Sequence, residues 1–254
     1  MSLIEITGLV AAAAAGGAIN AVAGGGTLLT FPTLLFFGTS PVIANATSTF
    51  ALLIGTSGSI YGYRRHLPAV RPWLSRFVPI SIIGGLLGAI CLTRTDEKTF
   101  SKLVPFLILF ATILFVSQNF FRRLIKPDHP LTRNPVGAAV LFQFLVALYG
   151  GYFGAGIGIL MLATFGFIGL GHIHEMNTLK TILGSLINLV ATLWFVVSGL
   201  IDWPRAAVMT VGALIGYYLG SHFSQRIPQQ RVRQIITAVG FILSAVTFYE
   251  EFLD

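Results

Sequence analysis

Long apolar segments alternate with short polar ones along the whole chain. Eight of these segments are long enough to cross a hydrocarbon core of about 30 Å, since a helix rises about 1.5 Å per residue. They cover residues 3–23, 42–63, 70–92, 103–121, 135–155, 175–198, 203–223 and 232–249. The pattern predicts an all-α polytopic membrane protein with eight long transmembrane helices.

Two shorter apolar segments, residues 27–37 and 157–170, each follow a glycine-rich break at residues 24–26 and 154–158. Glycine tolerates backbone angles that end a helix. A non-helical break at membrane depth persists only where protein buries it or where it lines a cavity. The two short segments are therefore predicted to be half-helices beside a functional cavity.

The two halves of the sequence match each other without a gap at an offset of 132 residues. The matched pairs include Gly24 with Gly156, Gly26 with Gly158, Asn45 with Asn177, Thr49 with Thr181, Pro72 with Pro204, Gly84 with Gly216, and Gly88 with Gly220. We expect two copies of one unit, residues 1–126 and 127–254. The paired Gly-x-x-x-Gly steps favour close helix packing over ligand binding.

Composition narrows the class of protein. The 254 residues are 55% hydrophobic and 10% charged, with a mean hydropathy of +0.83, which excludes a water-soluble domain of this size. The net charge of +7 does not indicate nucleic acid, because the basic residues form short clusters between apolar segments. The single cysteine, Cys91, allows neither a disulfide framework nor a cysteine metal site.

The distribution of basic residues predicts how the halves are oriented. If only the eight long segments cross, the 16 Lys and Arg divide nine to seven between the two sides of the membrane. If the short segments also cross, the division is twelve to four. The second count fits the positive-inside rule. It predicts five crossings per half, inverted repeats related by a pseudo-twofold axis, and both termini outside.

A polar stripe follows each break at helical spacing. The stripes are Asn45, Ser48, Thr49 and Thr56 in the first half, and Asn177, Lys180, Thr181 and Asn188 in the second. Spacings of three, four and seven residues put each set on one helical face. Because polar groups are costly in hydrocarbon, each stripe should face the bundle interior. There it either joins helices through hydrogen bonds or lines a binding site.

The breaks and stripes together predict an anion site. A helix N-terminus presents unsatisfied N–H groups and a partial positive charge, and two converging breaks would form a cage for an anion. Lys180 would contact the anion, unless its side chain snorkels to the membrane surface. The candidate substrate-binding residues are Gly24, Gly25, Gly26, Thr27, Asn45, Ser48, Thr49, Gly156, Gly158, Asn177, Lys180, Thr181 and Asn188.

Other chemistry is less well supported by the sequence. His172, His174 and Glu175 are candidates for a proton relay, since histidine titrates near neutral pH. A metal site and a solvated loop are the alternatives for these three residues. The sequence contains no G-x-S-x-G, Walker A or H-E-x-x-H motif, so neither an enzyme nor a cofactor is expected.

These features resemble the TauE/SafE family of sulfite exporters, also called the toluene sulfonate uptake permease family. The matching features are the Ala-Gly-Gly-Gly-Thr break followed by Phe31-Pro32, the Asn-Ala-Thr-Ser run from Asn45, and the second break from Gly150 to Gly158. The resemblance covers nearly the whole chain. Ile157 interrupts the second break, so the two half-sites need not contribute equally.

The resemblance implies a secondary transporter of the bacterial inner membrane. Its substrate would be sulfite, a sulfonate, sulfoacetate or a related sulfur anion, with sulfite export as the leading hypothesis. Alternating access and proton coupling are expected, and a passive anion channel is the alternative. The expected partners are the small anion, the lipid bilayer and a proton, with no nucleic acid. Assembly into a homo-oligomer is left as an open alternative.

Overall fold

The chain folds into a bundle of α-helices, seen in a computed structural model that describes residues 1–22, 25–62, 67–124, 136–167, 170, 173–223 and 229–252. Within these ranges the chain forms ten helices and no strand. The helices are α1 Leu3–Val22, α2 Thr27–Phe36, α3 Pro41–Gly62, α4 Leu67–Arg94, α5 Glu97–Leu124, α6 Val136–Tyr152, α7 Ile157–Phe167, α8 Ile173–Val197, α9 Trp203–Phe223 and α10 Gln229–Phe252.

The helices match the apolar segments. The short helices α2 and α7 have 10 and 11 residues, and each follows its glycine break. Four helical stretches in the described ranges have the length and hydropathy of a full membrane span: Leu3–Ala21, Leu67–Arg94, Glu97–Ser117 and Glu175–Val197. Large apolar side chains such as Phe106, Leu193 and Tyr218 are exposed on the outside of the bundle. The predicted all-α, multi-pass membrane fold is confirmed.

The two halves of the chain interlock. Helix α1 packs on α9, and α4 packs on α6, so each close pair joins one half to the other. Helix α3 contacts α9, and α4 contacts α8. If each helix is replaced by the helix five places away in the chain, the α1–α9 contact becomes the α6–α4 contact. The α3–α9 contact likewise becomes the α8–α4 contact. Two copies of one unit would give this exchange symmetry.

Glycines allow the closest contacts between the halves. Gly84 and Gly88 face α6, and Gly216 and Gly220 face α1. A methyl group on Gly216 would overlap the carbonyl oxygen of Ala14. The expectation that the Gly-x-x-x-Gly steps permit close helix packing is confirmed.

An ionic network at one end of the bundle joins four segments. Arg205 Nε donates to Glu5 Oε1 at 2.8 Å, and its terminal nitrogens donate to Asp202 Oδ2 at 2.6 Å and to the Phe37 carbonyl oxygen at 3.1 Å. The Asp202 amide donates to Thr47 Oγ1 at 3.1 Å. The start of α1, the end of α2, the first part of α3 and the start of α9 therefore lie together. Helix α2 returns the chain to the end at which α1 begins.

Candidate functional site

The first glycine break is closed by a side chain of α1. Gly25 has a φ of +109°, a backbone angle that glycine adopts without strain. The amides of Gly25 and Gly26 both donate to Asn20 Oδ1, at 2.6 and 2.9 Å. Asn20 Oδ1 therefore takes the position that an oxygen of an anion would need in order to accept hydrogen bonds from these two amides.

The polar stripe after the first break is buried and hydrogen-bonded. Ser48 is fully buried, and its hydroxyl lies 2.6 Å from Thr30 Oγ1 on α2. The Thr49 hydroxyl donates to the Asn45 carbonyl oxygen at 2.8 Å, and Asn45 Nδ2 donates to the Tyr152 carbonyl oxygen at 3.0 Å. The bonds of Ser48 and Asn45 join α3 to α2 and α6, as the helix-joining interpretation of the stripe predicts, whereas the Thr49 bond lies within α3. Asn45 Oδ1 is buried and has no partner in the described part of the chain.

At the second break, three amides lack a described acceptor, whereas those of Gly154 and Ile157 are hydrogen-bonded. Gly154 and Gly156 both have a φ of +81°, and the Tyr149 hydroxyl fixes the turn by donating to the Ala155 carbonyl oxygen at 2.8 Å. Among the described residues, the amides of Ala155, Gly156 and Gly158 have no hydrogen-bond acceptor. These groups lie at the start of α7, where the helix dipole adds partial positive charge. No described side chain accepts hydrogen bonds from these three amides, and Ala155 and Gly156 are themselves buried whereas Gly158 is half-buried.

Lys180 lies against the second break. A methyl group on Gly158 would lie 3.2 Å from Lys180 Cδ, so the stem of the lysine packs on the start of α7. The side chain is half-buried, and no described carboxylate forms an ion pair with it. An unpaired cation in a membrane bundle favours an anionic ligand. The stem of Lys180 and the start of α7 are thus adjacent.

The rest of the α8 stripe is also open. Asn177, Thr181 and Asn188 are half-buried, and none of them makes a side-chain hydrogen bond to a residue that the structure describes. A methyl group on Gly154 would lie 4.0 Å from Asn188 Oδ1, so Asn188 lies beside the second break. On the same helical face, a methyl group on Gly184 would meet no atom within 4 Å. The stripe therefore borders unfilled space.

At two positions that match in the repeat, the residue of the first half is buried, whereas the residue of the second half is only half-buried. Ser48, which is buried and hydrogen-bonded, stands where the second half has Lys180. Leu52, only 2% exposed, stands where the second half has Gly184. At these two positions the first half has a hydrogen-bonded serine and a buried leucine, whereas the second half has a lysine and a glycine beside open space.

The comparisons with known proteins place the chain in a family. The model of the sulfite exporter TauE/SafE family matches residues 9–247. The chain belongs to the TauE/SafE family. The resemblance found in the sequence is confirmed, and the protein is a membrane transporter.

The TauE/SafE chain has several curated relatives. It is 28% identical to a probable membrane transporter protein of Haemophilus influenzae, over 92% of this chain and 90% of the relative. It is 25% identical to the probable membrane transporter protein YfcA of Escherichia coli K12, over 92% and 86% of the two chains. A probable membrane transporter protein of a Sinorhizobium species, ORF9, is 24% identical over 93% and 89%. No solved structure matches the chain significantly.

Some predicted site residues of this TauE/SafE protein are outside the described structure. Gly24 and His172 lie in undescribed segments, and only the backbone of His174 is described, at the start of α8. Glu175 is half-buried and Thr27 begins α2. The described residues contain no group of three metal-ligating side chains. The proton-relay and metal interpretations of the histidine cluster stay predictions.

Two features of this TauE/SafE protein were missed by sequence reasoning. Asn20 closes the first break, and the only signal for it was an isolated asparagine a few residues before the three glycines. Arg205 is, in the sequence, only one of the 16 basic residues counted for the charge distribution. Its partner Glu5 lies 200 residues away in the chain, so the pair became visible only in the fold.

Proposed function

We propose that this TauE/SafE protein is a secondary transporter for a small sulfur-containing anion, with sulfite as the leading substrate. We infer that it exports the anion across the bacterial inner membrane by alternating access, coupled to protons. The observation that carries the proposal is that Lys180, which pairs with no described carboxylate, packs beside second-break amides that have no described acceptor.

The second break supplies recognition of the anion in this proposal. The amides of Ala155, Gly156 and Gly158 donate hydrogen bonds to its oxygens, and Lys180 supplies a full positive charge. The half-buried side chain of Asn188 lies beside the break, with its Oδ1 nearest to Gly154. An oxyanion with three oxygens on one centre, such as sulfite, can use several of these donors at once.

The first break contributes less in this proposal. Its Gly25 and Gly26 amides are held by Asn20, and the hydroxyl of Ser48 is held by Thr30. An anion would have to displace Asn20 from two hydrogen bonds before it could bind there. We therefore propose one anion for each chain, held mainly by the second half.

Alternating access is the proposed mechanism because the halves fit an inverted repeat. Each half contributes five helices, and the helix contacts have the exchange symmetry of a duplicated unit. The hydrogen bond from Arg205 to the Phe37 carbonyl oxygen supports a topology in which α2 leads the chain back to the side of the membrane where α1 begins. An odd number of crossings per half then gives the halves opposite orientations, which suits a central site with two alternating openings.

Transport assays in proteoliposomes test the proposal. The purified wild type should move sulfite, and an uncoupler should stop accumulation against a gradient. Lys180→Met and Asn177→Ala should lose sulfite flux while remaining folded in the membrane, because each removes a group that no described residue engages. Full sulfite flux in both variants would refute the site. Flux that only dissipates gradients and ignores the uncoupler would favour a passive anion channel.

A further inference from the structure

Gly184 is an unusual glycine in this bundle, because packing does not require it. A methyl group there would meet no atom within 4 Å, whereas one on Gly84 would come within 2.7 Å of Ala147 Cβ and one on Gly216 would overlap Ala14. Glycine within a helix is about 1 kcal/mol less favourable than alanine. Gly184 therefore lowers the stability of α8 without permitting a close helix contact.

The space beside Gly184 lies inside the bundle. The exposed residues of α8 nearest to it are Leu189 and Leu193, at 42% and 57% exposure. Leu193 lies nine residues along, which is about 180° round the helix at 3.6 residues per turn. Gly184 thus faces away from the lipid side of α8, on the face that carries Thr181 and Asn188.

The space is also confined to one half of the protein. Leu52 occupies the matching position on α3, and it is 2% exposed, so a side chain fills that position in the first half. In the second half the space lies between Thr181 and Asn188, one turn to either side, and Asn188 borders the second break. The open volume therefore adjoins the proposed anion site.

We propose that Gly184 determines the size of the anion that this transporter accepts, by leaving room for a small organic group attached to sulfur. The proposal rests on the proposed function, because the charged oxygens bind at the second break while the organic group lies beside Gly184. A small alkanesulfonate such as ethanesulfonate fits this description. Sulfite, which has no organic group, does not use the space.

The variants Gly184→Ala and Gly184→Leu test the proposal by filling the space in steps. Alanine adds one methyl group, and leucine restores the residue that the first half has at this position. Gly137→Ala is the matched control, since Gly137 is exposed near the start of α6 and a methyl group there also meets nothing within 4 Å. Both alanine variants gain helix propensity, so a difference between them reports the site.

Isothermal titration of the purified full-length protein with sulfite, methanesulfonate and ethanesulfonate gives the readout. We expect Gly184→Ala to raise the Kd for ethanesulfonate at least tenfold and the Kd for methanesulfonate by a smaller factor. The Kd for sulfite should stay within twofold of the wild-type value. Gly184→Leu should abolish binding of both sulfonates, and Gly137→Ala should change nothing. The thermal midpoint of each variant verifies that it is folded.

The outcomes separate the two proposals. The role of Gly184 is refuted if the wild type binds sulfite but not the sulfonates. It is also refuted if Gly184→Ala weakens the binding of all three anions equally. In both cases the proposed function stands. If the wild type binds none of the three anions, the proposed function itself fails.

Discussion

Removing the Arg205 side chain should destabilise the protein measurably. Arg205 forms ion pairs with Glu5 at 2.7 Å and with Asp202 at 2.6 Å, and the three side chains are only 23%, 12% and 20% exposed. It also donates to the Phe37 carbonyl oxygen. The Arg205→Ala variant leaves two carboxylates and one carbonyl group without this donor.

The size of the effect follows from this partial burial. An exposed ion pair contributes about 0 to 1 kcal/mol, whereas removing one partner of a buried pair costs about 3 to 5 kcal/mol. Arg205 lies between these cases, so we expect a loss of about 2 to 3 kcal/mol. For a chain of this size, that corresponds to a fall in Tm of about 5 to 10 °C.

Thermal unfolding of the purified protein in detergent is the assay. Lys102→Ala is the control, because Lys102 is exposed and forms no ion pair with a described residue. Arg205→Lys should recover part of the loss, since lysine keeps the charge but not the planar fork that reaches three acceptors. Equal Tm values for Arg205→Ala and Lys102→Ala would refute the assigned role of the network.

Three further predictions concern packing, the first break and topology. Gly216→Ala should destabilise the bundle by about 1 to 3 kcal/mol, because its methyl group overlaps Ala14, and thermal unfolding should detect the loss. Asn20→Ala should lower stability by about 1 to 3 kcal/mol by leaving two amides unpaired, yet titration should still detect sulfite binding. In a background without the native cysteine, cysteines at Ser2 and Phe36 should react with an impermeant reagent from the same side; labelling from opposite sides would contradict the topology.

The helices followed from sequence because membrane spans carry a strong local signal. A run of apolar residues predicts a span without reference to the rest of the chain, and glycine breaks mark the half-helices. The predicted break before α7 coincides with positive φ angles at Gly154 and Gly156. The polar stripes on α3 and α8 likewise followed from helical spacing.

The difference between the two halves could not be read from the sequence alone. Asn45 and Asn177 match at the repeat offset, but only the fold shows that Asn45 bonds to Tyr152 while Asn177 has no described partner. Closure of the first break by Asn20 depends on how α1 packs against the loop. Hydrogen-bond partners of this kind are tertiary contacts, and no local pattern encodes them.

The proposed anion site is tested most directly by comparing two positions that match in the repeat. Sulfite binding to the purified protein should be lost in Lys180→Met, because this change removes the lysine that packs beside the second break and pairs with no described carboxylate. It should be retained in Ser48→Ala, because Ser48 is buried and bonded to Thr30. Binding that survives in Lys180→Met and disappears in Ser48→Ala would contradict a site in the second half.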